Sequence, residues 1–158
     1  MKEIKLSRGF VTQVDDEDYA YLMNWKWSVI FGCSTNYAVR TFKINENRIT
    51  VYMHRIIMNT PHNMLVDHAD HNGLNNQKIN MRNGTVSQNS MNKKPTGRYK
   101  YLGVTYWKRG KYDLITAAIA INGKNTRLGY FKTEEEAALA YDIAAKKHHG
   151  KFANLNFK

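Results

Sequence analysis

The stretch Thr133–Gly150, TEEEAALAYDIAAKKHHG, is the strongest helix signal in the chain, and it dictates what must surround it. Thr133 with Glu136 makes a capping box, acids open the helix, lysines close it and Gly150 stops it. Ala137, Ala138, Tyr141, Ala144, Ala145 and His148 fall on one face. Three runs precede it, LGVTYW, LITAAIAI and NTRLGYF, rich in strand formers. Gly110 and Asn122-Gly123 supply the turns, and Asn-Gly between two such runs is a strong hairpin signal. A sheet this small needs a cover. The helix face is that cover, so residues 101–158 should form a three-stranded antiparallel sheet packed on one helix.

The first part of the chain reads differently. IKL, FVTQV, WKWSVI, NYAVRTF and ITVYM look like strands over residues 1–56, separated by SRG, FGCST and NENR. DDEDYAYLMNW is a short helix candidate opened by acids, and HRIIMN another, stopped by Pro61. Trp25, Trp27 and Tyr37 are expected in the core. Leu65-Val66 reads as a buried strand leading into Asp67-His68, with a second short strand at Asn80–Arg82. Thr85 and Gln88 match a capping box before a helix over about 86–94. KKPTGRYK, with Pro, Gly and positive charge, is the one linker candidate. The expected fold class is α+β: a β-rich first domain over 1–94, a linker at 95–100, and a sheet-and-helix domain over 101–158.

Charge narrows the partner. The 158 residues carry a formal net charge of +11. Residues 98–158 hold 12 basic and 5 acidic side chains, and Asp113 is the only acid within 98–132. A positive field concentrated this way points to a polyanion. Cys33 is the only cysteine, which excludes an internal disulfide and a CxxC zinc site. No apolar run suits export or a membrane span, so a cytoplasmic protein is expected.

Val66–Arg82, VDHADHNGLNNQKINMR, concentrates two Asp, two His and four Asn. Composition alone reads as a polar loop. Its chemistry allows more. Asp67 and His68 are neighbours at a strand end and point different ways. Asp and Asn offer only oxygen, which favours a hard cation, Mg²⁺ or Mn²⁺. A neutral His beside a phosphodiester can take a proton from water.

The segment VYMHRIIMNTPHNMLVDHADHNGLNNQKINMRNGTVSQNSMNKK resembles the HNH endonuclease motif, in the form found in phage-encoded homing endonucleases. The resemblance rests on the Asp-His pair, the Asn twelve residues after His68, and the further Asn nine residues beyond. It implies two short strands and a helix around one metal ion, over about residues 54–94. By position it makes His68 the general base and Asp67 and Asn89 the metal ligands. Asn80 would hold the loop and orient His68. His54 and Arg55 match a recurrent family element and are accessory candidates. His71 stands where relatives carry Gly or a small polar residue, and could touch metal or DNA. His62 reads as an ordinary loop histidine.

Residues 98–158 resemble a second family, the APETALA-type (ethylene-responsive-factor) DNA-binding domain, through YLGVTYW, INGKNTRLGYF and TEEEAALAYDIAAKKHHGKFANLNF. That fold lays its sheet in the DNA major groove. The resemblance implies DNA contacts from Arg98, Thr105, Trp107, Lys108, Arg109, Lys111, Lys124 and Arg127. Arg127 suits guanine, and the lysines suit phosphate. Thr116 and Ala118 replace residues that commonly read bases in relatives.

Together the two resemblances imply a site-selective endonuclease of double-stranded DNA. It would use one divalent cation, act as a monomer or weak homodimer, and leave a 5′-phosphate and a 3′-hydroxyl. The alternative is a regulator that binds DNA through the basic sheet and cuts nothing. An RNA target fits less well, because A-form RNA offers no groove for such a sheet.

Overall fold

The computed structural model describes residues 1–95, 99–109 and 112–157, with the backbone alone at 108, 109, 112 and 113. The chain is mixed α+β, in several small sheets. It divides into two compact units, Met1–Val86 and Ser87–Lys158. Among the described residues no helix is long and apolar enough to cross a membrane.

In the first unit, β1 (Lys2–Lys5) pairs antiparallel with β2 (Val11–Val14). Helix α1 (Asp16–Leu22) follows, with three acids in its first turn, where they complement the helix dipole. Next, β3 (Ser28–Phe31), β4 (Asn36–Ile44) and β5 (Asn47–Tyr52) form a meander. The turn into β5 places Asn45 and Glu46 at positive φ, as a tight hairpin turn demands. The strand expected over 25–30 begins only at Ser28. Trp27 lies before it, buried, with its indole N–H donated to Leu22 O at 2.9 Å.

The core gathers Ile4, Leu6, Val14, Leu22, Trp27, Ala38 and Met53. Met53 opens the short helix α2 (Met53–Ile57). Arg55 on α2 donates to the carbonyls of Thr60, Pro61 and Met64, which ties down the loop after the helix.

Strand β6 (Leu65–His68) pairs antiparallel with β8 (Met81–Gly84), placing Asp67 opposite Arg82 and His68 opposite Met81. Between them a two-residue strand, β7 (Asn75–Asn76), pairs parallel with β2, with Asn76 opposite Val14. The expectation of a buried Leu65-Val66 is corrected here. Leu65 is exposed and Val66 half-buried, while Asp67 and His68 are the buried half of the strand. Helix α3 (Val86–Met91) follows directly, and the division into units falls at its first turn.

The second unit holds β9 (Val104–Arg109), β10 (Tyr112–Ile121) and β11 (Lys124–Phe131), in the order β11-β10-β9, and helix α4 (Glu134–His149). Asn122 and Gly123 are both at positive φ, as the Asn-Gly hairpin requires. The capping box is formed on both sides: Thr133 Oγ1 accepts from Glu136 N, and Glu136 Oε2 accepts from Thr133 N. Ala137, Ala138, Tyr141 and Ala145 pack with Val104, Ala117 and Ile119 of the sheet. Gly103, at φ +73°, lies so close to Tyr141 that a Cβ there would clash with the ring.

The buried face of α4 differs from the expected one. His148 is exposed and Ala144 half-buried, while Asp142 and His149 are buried. Both inward polar groups have partners. The His149 imidazole Nε2 bonds Ala120 O at 2.9 Å. Asp142 accepts from the backbone N–H groups of Asn156 and Phe157 and from the Asn156 side chain. A buried polar side chain is tolerated on these terms, and apolar periodicity does not reveal it.

Candidate active site

Asp67 and His68 end β6 side by side, and each has a partner from a different element. Arg82 on β8 grips Asp67 Oδ2 through Nε at 2.6 Å and Nη2 at 2.5 Å. Both side chains of this pair are largely withdrawn from solvent, which favours a charge-assisted contact of this kind. His68 Nε2 lies 3.2 Å from Asn76 Oδ1.

The loop between β6 and β8 is stapled by its own polar side chains. Asp70 accepts from Asn72 N, Asn75 Nδ2 and Asn80 Nδ2. Asn80 also donates to Asn75 O, and its Oδ1 and backbone O accept from the N–H groups of Asp70 and Ala69. Asn80 thus bonds three other residues of the loop, while the side-chain amide that meets His68 is that of Asn76. Burial pushes the Asp70 carboxyl up, but the hydrogen bonds from Asn72, Asn75 and Asn80 and the field of His68 outweigh it and hold the group below its ordinary value. From outside the loop, Asp15 accepts from Lys78 N, and Lys78 Nζ bridges to Glu17 and Asp18 of α1.

His71 adopts φ +63° in this loop, a left-handed conformation suited to Gly.

One side of His68 is an aromatic wall. Its ring centroid lies 5.4 Å from that of His54 and 6.1 Å from that of Tyr37, and Tyr52 stacks on His54 at 5.3 Å. Tyr37 is therefore not simply core. Burial, then the neighbouring Tyr52 and Asp67, raise its hydroxyl above the usual phenol value. Burial lowers the His68 pKa below 6.5, with the Asn76 bond and the charges of Asp70 and Asp67 opposing it. A neutral imidazole at pH 7 results, the form that accepts a proton. His54 is pushed further, to about 3, by burial first and then by His68 and Arg55. Its Nδ1 is buried with no hydrogen-bond partner among the described residues.

His54 gives a prediction on stability. The folded chain keeps it neutral, whereas the unfolded chain protonates it below about pH 6.5. The unfolded state then binds more protons throughout the window from 6.5 down to about 3. Stability from this group is full above that window and falls as pH drops through it. Urea unfolding followed by tryptophan fluorescence should show the first unit losing roughly 2 kcal/mol between pH 7 and pH 5. His54→Phe should flatten that slope; an unchanged slope would remove His54 as its source.

The donors available for a cation are limited. Among the described residues no three His, Cys, Asp or Glu side chains converge as a metal cluster. Asp67 supplies one buried carboxylate in the first unit. Asn89 lies on α3, within the second unit. One or two oxygen side chains suit a cation that keeps water and takes substrate phosphate as further ligands, which is how Mg²⁺ is usually bound.

In the second unit, the outer face of the sheet is the candidate nucleic-acid surface. Thr105 pairs across to Thr116 and Trp107 to Leu114. Trp107 is exposed, with the Arg127 guanidinium 5.4 Å from its ring. Arg127 also donates to Tyr130 Oη at 2.8 Å, so its plane is held among aromatic rings. Thr105 shares a 2.8 Å hydrogen bond with Thr116, which places Thr105 in the sheet's own network. Lys124 is exposed but pairs with Ile121, on the helix side of the sheet, so the register separates it from Arg127. Arg98 and Lys111 lie outside the described residues, as do the side chains of Lys108 and Arg109.

Sequence reading missed Thr12, Asn76, Arg82 and Tyr37. Thr12 left a signal, since alternation in FVTQV puts it on the same inward face as Val14. A polar residue there calls for a partner. Arg82 follows only from the β6–β8 register, and Tyr37 only from the tertiary fold.

The chain is 29% identical over 144 residues to an uncharacterized HNH endonuclease of Acanthamoeba polyphaga mimivirus, covering 87% of this chain and 74% of the relative. It is also similar to two AP2-like ethylene-responsive transcription factors of Arabidopsis thaliana. One is 46% identical over 63 residues, the other 48% over 59, covering 39% and 37% of this chain. The chain spans only 11% and 12% of those two plant proteins. No family model and no solved structure matches it significantly.

Proposed function

We propose that the protein is a divalent-metal-dependent endonuclease of duplex DNA, with Asp67 and His68 at its catalytic centre. The observation that carries this reading is the pair itself: a carboxylate and an imidazole, adjacent at a strand end and buried, each bonded to its own polar partner. The likeness to a relative named as an HNH endonuclease supports it.

In this reading His68 takes a proton from water. The water oxygen forms the new bond to phosphorus as the P–O3′ bond breaks, and the electron pair of the broken bond leaves on the 3′ oxygen, which takes a proton from solvent. Asp67 is assigned as a ligand of Mg²⁺ or Mn²⁺, which would polarise the phosphate and stabilise the departing oxygen when bound. Asn80 fixes the loop that follows His68. The products are a 5′-phosphate and a 3′-hydroxyl, and one centre per chain nicks a single strand. Nicked plasmid produced by the protein should therefore be sealed directly by a DNA ligase. Ends that resist sealing without prior phosphatase or kinase treatment would rule out this cleavage chemistry.

The second unit would hold the duplex, a role supported by its charge, by the outward Arg127–Trp107–Tyr130 cluster, and by the likeness to the plant transcription factors. Arg127→Ala should weaken binding to a selected site by about 1–3 kcal/mol and relax its preference for a guanine. Gel-shift titration on matched and mutated sites measures both. An equal loss on every sequence would make Arg127 a phosphate contact instead.

A second reading has its own support. The Asp67 charge is already met by Arg82. That ion pair suits a DNA-binding regulator whose central motif does not cut.

A further inference from the structure

Behind His68 lies a chain of hydrogen bonds whose direction can be worked out from donors and acceptors. Thr12 Oγ1 is 2.7 Å from Leu74 O, a carbonyl, which can only accept. The single hydroxyl proton of Thr12 is therefore committed to Leu74. Toward Asn76, Thr12 can offer only a lone pair, and the atom facing it at 2.8 Å must be the amide nitrogen, Nδ2. The same nitrogen lies 3.7 Å from Met53 Sδ, a weak acceptor, so that side of the amide meets acceptors alone. Asn76 Oδ1 is thereby turned to His68 Nε2, at 3.2 Å. An oxygen accepts there, so Nε2 carries the proton and Nδ1 of the neutral ring does not.

Burial makes this direction strict. Thr12, Asn76 and Met53 are all fully buried, so water has no place to stand in for a missing partner. Reversing the amide would set its oxygen against a lone pair of Thr12 and against the Met53 sulfur. The arrangement depends on long-range folding: Thr12 and Asn76 are 64 positions apart and are brought together by the parallel pairing of β2 with β7.

We propose that Thr12, acting through Asn76, is a positioning residue that selects the Nε2-protonated tautomer of His68 and presents Nδ1 as the proton acceptor. The inference rests on the nuclease reading of His68 for its catalytic meaning, but the tautomer itself does not. It gives the N-terminal strands, whose own chemistry is otherwise silent, a part in the reaction.

The test compares wild type with Thr12→Val and Thr12→Ser in the full-length chain, by plasmid nicking and by nitrogen-15 spectra of the His68 ring at pH 8. The wild-type spectrum should place the proton on Nε2. Thr12→Ser, which keeps the hydroxyl, should match wild type in both measurements. Thr12→Val should lower kcat about 10–100-fold, the usual size of such a second-layer loss, with KM for DNA unchanged and the two tautomers mixed. A folded Thr12→Val protein with wild-type kcat and spectrum overturns the proposal, as does a wild-type ring protonated on Nδ1. If Thr12→Val does not fold, the wild-type and Thr12→Ser spectra decide by the same criterion. If wild type leaves the plasmid supercoiled with Mg²⁺ or Mn²⁺ present, the nuclease reading fails separately, and the ring spectrum still decides whether the tautomer is set this way.

Discussion

His68→Ala is expected to abolish nicking of duplex DNA while leaving DNA affinity at the wild-type level. General bases contribute about 10²–10⁴-fold to such reactions, so the residual rate should fall by that factor. The structure explains why no neighbour would rescue the variant. His54, the nearest other imidazole, is buried, held in the neutral form and wedged among Tyr37, Tyr52 and His68. His71 sits in the left-handed turn of the loop, three positions on. The measurement is single-turnover conversion of supercoiled to open-circular plasmid, with a gel shift on the same preparation. Equal nicking by His68→Ala would move the reaction away from this centre. Loss of binding together with nicking would mean that the variant had damaged the fold.

The largest effect on stability is expected at Asp142, far in sequence from that chemistry. This carboxylate is buried on α4 and gathers the chain end: Asn156 N and Nδ2 donate to Oδ1, and Phe157 N donates to Oδ2. Asn156 in turn accepts from Leu102 N at 2.6 Å and donates to Leu102 O, on the approach to β9. Helix, chain end and first strand of the unit are thus joined at one charged acceptor. Asp142→Ala removes the acceptor of three part-buried hydrogen bonds at once, and hydrogen bonds to charged groups contribute about 1.5–3 kcal/mol each before coupling is considered. The loss should reach about 3 kcal/mol and should be confined to the second unit. Urea unfolding followed through hydrogen exchange of β9–β11 amides would report it, and DNA binding should fall in parallel. A change below about 0.5 kcal/mol would mean that water replaces the carboxylate, contrary to its burial.

The elements most legible in the sequence are those fixed by local rules. Helix α4 is read from its capping box, its acids and its closing lysines, and the β10–β11 hairpin from Asn122-Gly123, because caps and turns are decided within a few residues. Strand β6 and the Asp67-His68 pair are equally local. What the sequence conceals is non-local. Asn75-Asn76 reads as a turn, and only pairing with β2, sixty residues earlier, makes it a strand and sets Asn76 against His68. Arg82 is one basic residue among many until register places it opposite Asp67. On α4, apolar periodicity selects His148, yet His149 is the buried one, with its Nε2 met by a carbonyl on β10 and its Nδ1 buried without a partner among the described residues. In each case a polar group is buried because a distant partner exists, and hydrophobic patterning records burial without recording partners.

Asp67 and His68 are the proposed centre that cuts DNA. Supercoiled plasmid incubated with the full chain in Mg²⁺, in Mn²⁺ or in EDTA tests that most directly, with binding followed in the same buffers. Open circles forming in either metal and absent in EDTA are the predicted result. Tight binding in all three buffers, with the plasmid left supercoiled, would contradict the account and leave a protein that holds DNA without breaking it.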